Sequence, residues 1–421
     1  MPRSTPPERS LDELLADLEA AVASGNTALA EEIRSSIERR LATEAADRAA
    51  VERRVRELTS ELTLEMAEWR DIKRGPVALD IPLTRGGDAE SDGDRIYPVW
   101  FGTNRRPAAG GAGFTGERHD QITHGRVNVF VPEAHRFGEI TTSIWRRLLH
   151  LDFRRHRLRV QEILTEERDP FFAEIREAMD AAARENRREP QAVFFLHGYN
   201  VSFEDAAIRA AQLGCDLSVP GATAFFSWPS RGSVLAYTAD EASIEASERA
   251  ITEFLVDFAA NCGAEKIHVI AHSMGNRGLL RALQRNASNA LSGLKVKFGQ
   301  ILLAAPDVDR DLFLDLAALY PQHAEQTTLY ASRRDLAVHL SSKFHDAPRA
   351  GYFTPYTVAP SIDTIAVPNF DVDLLGHSYF AQAEALLHDM FDLIRHGDPP
   401  RLRQRLTPLH AEGQSFWQVR R

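Results

Sequence analysis

Residues 266–275 read Lys266-Ile267-His268-Val269-Ile270-Ala271-His272-Ser273-Met274-Gly275, and their reading decides the fold. A mostly apolar run, Ile267 to Ala271, stops abruptly at His272-Ser273-Met274-Gly275. A helix-compatible segment, Arg277 to Gln284, follows at once. Strand, sharp turn carrying a serine, helix is the setting of a nucleophile-bearing elbow. Such a turn strains the backbone at the serine, so the residues two before and two after it must be small. Here they are Ala271 and Gly275. Glycine is usual at both places, and Ala271 departs from it by one methyl group. The strain lifts the Ser273 hydroxyl clear of the sheet and sets it at a helix start, where free N–H groups and the helix dipole favour developing negative charge. A bare small-x-Ser-x-Gly match also fits a buried serine at a strand end. The flanking strand and helix favour the elbow.

A second stretch, Gln191-Ala192-Val193-Phe194-Phe195-Leu196-His197-Gly198-Tyr199-Asn200, supports this reading. Val193 to Leu196 form a continuous apolar run, as expected of a strand buried on both faces of a parallel sheet. His197-Gly198 then stands at its C-terminal end, where an oxyanion-binding loop belongs in a sheet that carries an elbow. Gly198 lets the backbone turn so that an N–H points at the reacting oxygen. The expected donors are the backbone N–H groups of Tyr199 and Met274, and donors so placed usually supply the largest single catalytic effect. His-Gly alone is only a turn. Its pairing with a downstream elbow makes it specific.

A serine nucleophile needs an acid and a base in the chain order serine, acid, histidine, each after a strand. Thr327 to Ala331 is β-prone and leads through Ser332-Arg333-Arg334 to Asp335, the expected acid. Thr364 to Val367 is a further short strand. After the loop Asn369 to Leu375 comes Gly376-His377-Ser378-Tyr379, and His377 is the expected base. His377 would take the Ser273 proton and return it to the leaving group, while Asp335 holds the imidazole tautomer. Asp307, at the end of the apolar strand Ile301 to Ala305, is the competing acid. Among the 15 histidines, His339 and His345 lie too close to Asp335 to follow a separate strand. His272 is expected to pack rather than react.

The stretch Ser227 to Asp240 leaves the C-terminal edge of the sheet, where open α/β folds bind ligands. It is expected to overhang Ser273. His197, Trp228, Arg231 and Tyr237 are its candidate substrate contacts, with Arg231 meeting a carboxylate or phosphate or else pairing with Asp240 or Glu241.

These stretches together resemble a known family. The elbow, His197-Gly198-Tyr199-Asn200, Phe226-Ser227-Trp228-Pro229-Ser230, Tyr330-Ala331-Ser332 and Gly376-His377-Ser378-Tyr379-Phe380 look like an uncharacterised bacterial α/β-hydrolase family, a domain of unknown function with a lipase-like signature. The resemblance starts at Pro98-Val99-Trp100-Phe101-Gly102-Thr103-Asn104-Arg105 and covers roughly residues 95–395. It implies an α/β-hydrolase fold and a serine hydrolase triad at Ser273, Asp335 and His377. It implies no substrate.

Composition agrees with an enzyme of this kind. A chain of 421 residues allows roughly two or three domains, and a hydrophobic content of 43% is enough for a sizeable core. A net charge of −10 argues against general nucleic-acid binding. The 2 cysteines, Cys215 and Cys262, point to a reducing compartment without a disulfide framework. They lack His or Cys neighbours at ligand spacing, so no metal site is expected. The polar N-terminus has no apolar signal-peptide core, and no run reaches membrane-spanning length. A cytoplasmic location is expected, with peripheral membrane contact compatible with it.

Residues 1–74 read as a helical region, with Leu11, Leu14, Leu15 and Leu18, then Leu29, Ile33, Ile37 and Leu41, at helical spacing around a turn at Gly25. Oligomerisation or docking onto a partner through residues 9–73 is one reading; packing on its own catalytic domain is the other. Residues 75–95, with Gly75-Pro76, Gly86-Gly87 and Asp92-Gly93-Asp94, read as a linker. Residues 96–396 are expected to form the α/β-hydrolase domain, a mostly parallel doubly wound sheet opened by antiparallel strands at Ile96–Thr103 and Arg126–Val131. Residues 397–421 are expected to be a tail. The basic run Trp145-Arg146-Arg147 and Arg154-Arg155-His156-Arg157 reads as a solvated face pairing with local carboxylates. The expected reaction is hydrolysis of a small-molecule or lipid ester through an acyl-Ser273 intermediate, needing no metal or organic cofactor. The alternative is a hydrolase-fold scaffold that presents its N-terminal helices to a protein partner.

Overall fold

Alternation along a strand decides which helix layer each side chain meets, because successive side chains point to opposite faces of a sheet. In the computed structural model Ala192, Phe194 and Leu196 enter one hydrophobic core, and their neighbours Val193 and Phe195 enter another. The same division runs through Val269 and Ile270, Leu302 and Leu303, and Phe225 and Phe226. The sheet is therefore covered on both sides, which is why these strands read as unbroken apolar runs.

The structure describes residues 95–111, 113–132, 158–186, 189–231, 237–288, 297–332, 347–367 and 380–420. The chain divides into two units, Met1–Pro82 and Leu83–Arg421, and all described residues belong to the second. The helical region expected over 1–74, residues 75–94 of the expected linker, the basic run, Asp335 and His377 lie outside the described residues.

The strands are β1 (Arg95–Pro107), β2 (Phe114–Val131), β3 (Arg159–Glu166), β4 (Gln191–Leu196), β5 (Gly221–Ser227), β6 (Lys266–His272), β7 (Phe298–Ala304), β8 (Ala324–Ala331), β9 (Asp363–Ala366), β10 (Leu406–Ala411) and β11 (Gln414–Val419). The helices that concern the site are α1 (Arg168–Asn186), α2 (Phe203–Asp216), α3 (Tyr237–Ala246), α4 (Glu248–Asn261), α5 (Gly275–Ser288), α6 (Arg310–Leu316) and α7 (Phe380–His396). All eleven strands form one sheet in the order β10-β11-β9-β8-β7-β6-β4-β5-β1-β2-β3. From β11 to β1 every pairing is parallel, and β10, β2 and β3 add antiparallel edges. Helices α1, α4 and α5 pack on one face, and α2 and α7 on the other. The mostly parallel, doubly wound sheet and its antiparallel opening strands are as expected. Among the described residues no helix is long and apolar enough to cross a membrane.

The C-terminal segment is a correction. Residues 397–421 were expected to be a tail, yet β10 and β11 form a hairpin that joins the sheet through β9. Its turn, Glu412-Gly413, holds both residues at positive φ, 52° and 75°. Two-residue hairpin loops need that conformation, but Asn-Gly or Asp-Gly is its usual signature. The hairpin is fastened from below. Arg403, 1% exposed at its side chain, donates to the equally buried Asp389 of α7 at 3.0 Å. Asp389 also accepts from the Tyr330 hydroxyl of β8 at 2.8 Å.

A lone buried charge is far costlier than a buried pair. Asp389→Ala should therefore lower the unfolding free energy by about 3–5 kcal/mol in urea denaturation. The double variant Asp389→Leu with Arg403→Met, which removes both charges, should lose much less.

Candidate active site

Ser273 follows β6 in the left-handed region, at φ 49°. For a residue with a Cβ this conformation costs about 1–2 kcal/mol, and the surroundings hold it there. The Ser273 N–H donates to the Ala304 carbonyl at 2.9 Å, and its own carbonyl accepts from the N–H of Asn276 at 3.1 Å and of Asp307 at 3.2 Å. The Asn276 amide, fully buried, reaches the carbonyls of Ala271, Ser273 and Ala304 at 3.0–3.2 Å. It ties the elbow to the ends of both β6 and β7. Asn276 was not singled out in the sequence. Its signal is an amide in the first turn of an otherwise amphipathic helix.

Two glycines make the approach possible. A Cβ on Gly275 would lie 2.6 Å from the carbonyl oxygens of both Leu196 and His197, and one on Gly198 would lie 3.0 Å from the Ser273 Cβ. The register Leu196↔Ala271 sets the two strand ends abreast, so the His197-Gly198 loop lies against the elbow. Ser273 is 5% exposed. Among the described residues neither its hydroxyl nor the Met274 N–H makes a hydrogen bond.

The orientation of the His197-Gly198 loop follows from a chain of donors. A guanidinium can only donate. Arg105 Nε donates to Ser227 Oγ at 2.8 Å, and because the Gly198 carbonyl beside His197 Nδ1 can only accept, the neutral ring accepts at Nε2 a hydrogen bond from Ser227 Oγ, 3.2 Å away. His197 is then the Nδ1–H tautomer and donates to the Gly198 carbonyl at 2.7 Å. Because a trans peptide is planar, the Tyr199 N–H points away from the His197 ring. Burial and the Arg105 charge push the His197 pKa well below its usual value, so the ring is neutral.

This corrects two expected substrate contacts. His197 is 1% exposed and stacks on Trp228, whose rings lie 5.1 Å and 13° apart. Trp228 is fully buried, and its indole N–H donates to the His197 carbonyl at 2.9 Å. Both side chains brace the loop from inside the core; a short motif does not say which way its rings point.

Arg105, 1% exposed, lies beneath the loop. Besides Ser227 it donates to the carbonyls of Ser230 at 2.9 Å, Val201 at 2.8 Å and Thr115 at 3.4 Å. Burial lowers its pKa to about 10, so it stays charged. Asp240 of α3 completes the frame by accepting from the Asn200 N–H at 3.1 Å, the Ser230 hydroxyl at 2.6 Å and the Arg231 N–H at 2.8 Å. Burial pushes the Asp240 pKa up, and these donors oppose the shift. The expected Arg231–Asp240 contact thus runs through the backbone, and Glu241 pairs instead with Arg277. The Arg231 side chain is exposed, and residues 232–236 lie outside the described residues.

Tyr237 does reach the elbow region. Its hydroxyl donates to Asp307 at 2.7 Å, and its ring meets that of Tyr199 edge-on at 5.5 Å. Asp307, the competing acid, is buried and faces Arg349 at 3.5 Å. The structure thus brings together Ser273, Met274, Tyr199, Tyr237 and Asp307. Among the described residues no group of three or more His, Cys, Asp or Glu is placed to hold a metal ion.

His272 points to the other face of the sheet, where it lines a small cavity with Phe195, Leu213, Leu387 and Met390. Burial, with Arg209 adding to it, lowers its pKa from 6.5 to about 3. The ring packs rather than reacts, as expected. A folded-state pKa below the unfolded one means that the unfolded chain binds the extra proton. This stability is present above pH 6.5 and is lost as pH falls towards 3. Lowering the pH from 7.5 to 5.0 should cost about 2 kcal/mol through this residue alone. Urea midpoints of wild type and His272→Gln at the two pH values test this, with the variant's pH sensitivity reduced by that amount.

Comparison with known proteins bears on the fold. A search among curated proteins finds no match. Solved structures that share features with the chain include an uncharacterised protein from Bacillus cereus, at 14% identity and a TM-score of 0.33, where 50% of this chain is covered. The chain spans 61% of that protein's length. An esterase from Pyrobaculum calidifontis matches at 12% identity and a TM-score of 0.30, over 61% of this chain and 98% of that one. Esterase B from Lactobacillus rhamnosis matches at 10% identity and a TM-score of 0.32, over 80% and 98%. The family described as "Alpha/beta hydrolase of unknown function" (DUF900) matches residues 174–396, more than half of the chain. This match takes in β4 to β9, the elbow and the His197-Gly198 loop, and the chain belongs to that family of α/β hydrolases.

Proposed function

We propose that the protein is a serine hydrolase that cleaves a carboxylic ester through an acyl-Ser273 intermediate. The observation that carries this reading is the strained Ser273 at the N-terminus of α5, beside a Met274 N–H without a partner among the described residues. Strain of this kind persists only where the surroundings impose it. The donor chain that turns the Tyr199 N–H away from His197 supports an oxyanion hole formed by Tyr199 and Met274.

In this reaction His377 takes the proton of Ser273 Oγ as the oxygen attacks the ester carbonyl carbon. The two N–H groups hold the oxyanion. His377 then protonates the alkoxide oxygen as the carbon–oxygen bond breaks, and the alcohol leaves. Water, deprotonated by the same imidazole, attacks the acyl group and restores Ser273. Asp335 is the acid in this scheme, because the acid usually follows the next-to-last strand. Asp307 already carries Tyr237 and Arg349 on its carboxylate.

Labelling by a fluorophosphonate, read by intact mass, tests the scheme. Wild type should take one adduct and Ser273→Ala none. His377→Ala should react about a thousandfold more slowly or less. Asp335→Asn should slow labelling about a hundredfold or more, and Asp307→Asn far less. The reverse order would make Asp307 the acid. No adduct on folded wild type would overturn the hydrolase reading and leave the scaffold.

Ser227→Ala interrupts the donor chain without touching the reacting atoms. It should slow acylation about tenfold, with the pH profile of labelling unchanged, because His197 is a positioning residue and not the base.

A further inference from the structure

A cavity of about 550 Å³ lies between the β1–β2 hairpin and α3, lined by Arg106, Arg118 and Arg231 with Glu117, Ala242 and Ser243. Its size is that of small-molecule sites. Its charge is unusual in a chain of net charge −10. Three guanidinium groups face one carboxylate, that of Glu117, which pairs with Arg106 at 3.1 Å. Among the described residues Arg118 and Arg231 have no ion-pair partner. The cavity is thus left two positive charges in excess.

The backbone of the walls is held in place. One buried guanidinium, that of Arg105, holds both of them. It donates to the Thr115 carbonyl at the start of β2 and to the Ser230 carbonyl beside Arg231. The Arg231 backbone is held again by its N–H bond to Asp240 at 2.8 Å, and Arg118 sits opposite Arg105 in the β1–β2 ladder. The two arginines without ion-pair partners therefore stand on held backbone, Arg118 in the β1–β2 hairpin and Arg231 after β5. Both walls extend from the C-terminal ends of β1 and β5, the edge of the parallel sheet at which ligands bind in open α/β folds.

We infer that this cavity binds a small molecule carrying a phosphate monoester, with the phosphate held by Arg118 and Arg231. Guanidinium pairs match the oxygens of such a group two at a time. A phosphate monoester carries about −1.5 to −2 charges at pH 7, which balances the excess; a single carboxylate does not. Ser273, Tyr199 and Met274 are not among its lining residues, and the assignment does not rest on the hydrolase reading.

Phenyl phosphate is the probe, its 31P resonance followed during titration of the full chain at low ionic strength and pH 7.5. Wild type should show saturable binding to one site. Arg118→Ala and Arg231→Ala should each weaken it about tenfold or more. Arg249→Ala, an exposed arginine on α4 paired with Glu253, should leave it unchanged. Binding should weaken at pH 5.5, where the phosphate holds its second proton. Ser273→Ala should bind as wild type does, and benzoate at equal concentration should not displace the ligand. Circular dichroism confirms that each variant is folded. No saturable binding, binding unaltered in both arginine variants, loss of binding in Ser273→Ala or displacement by benzoate would each overturn the assignment.

Discussion

The left-handed backbone at Ser273 is the constraint around which the centre of the molecule is arranged. A single residue at φ 49° turns the chain from β6 into α5 within two positions. The turn brings the start of α5 against the carbonyls at the end of β4, and only a glycine at position 275 leaves room for that approach. Gly198 meets the same constraint from the other side. The strain persists because the Ser273 peptide groups bond to β7, to Asn276 and to Asp307. The parallel strands on either side of β6 hold those partners in register. Elbow and sheet thus stabilise one another.

Arg105 has a comparable role at a distance from the serine. A buried charge is costly unless its hydrogen bonds are met, and this one finds oxygens on Ser227, Ser230, Val201 and Thr115. These belong to three separate chain segments. Any relative shift among them would leave a charged donor without an acceptor, so the guanidinium acts as a gauge of their spacing. It comes from β1, upstream of the family match at residues 174–396. The hydrolase sheet of this chain therefore includes β1, β2 and β3, and the His197-Gly198 loop is positioned from beyond the matched region. The neutral His197 is one consequence. Its proton is assigned by the fixed donors around it rather than by solvent, so the loop geometry does not follow pH near neutrality.

Where a function depends on chain-local geometry, it was legible in the residues. Ala271, Ser273 and Gly275 mark a strained turn because small side chains are a steric requirement of that turn. Val193 to Leu196 mark a doubly covered strand because burial on both faces favours a continuous apolar run. The opening strands at Ile96–Thr103 and Arg126–Val131 were legible for a related reason, since β-branched and aromatic residues fit a pleated surface. The C-terminal hairpin was not, because Glu412-Gly413 reaches a tight turn without its usual residues. Nor was the burial of His197 and Trp228, which looked like ligand contacts because polar and aromatic groups beside a nucleophile serve either purpose.

The sequence by itself determined the doubly covered parallel strands, the strand–turn–helix elbow at Ser273 and the loop after β4 that lies against it. These rest on periodicity and on steric limits that act over a few residues. Tertiary structure alone decided that Arg105 reaches under the loop, that Asn276 ties the elbow to β7, that Tyr237 meets Asp307, and that Arg231 shares a cavity with the arginines of the β1–β2 hairpin. Those contacts join residues separated by many positions. Their existence depends on the register of neighbouring strands and on which way each side chain leaves its backbone, and no local pattern encodes either.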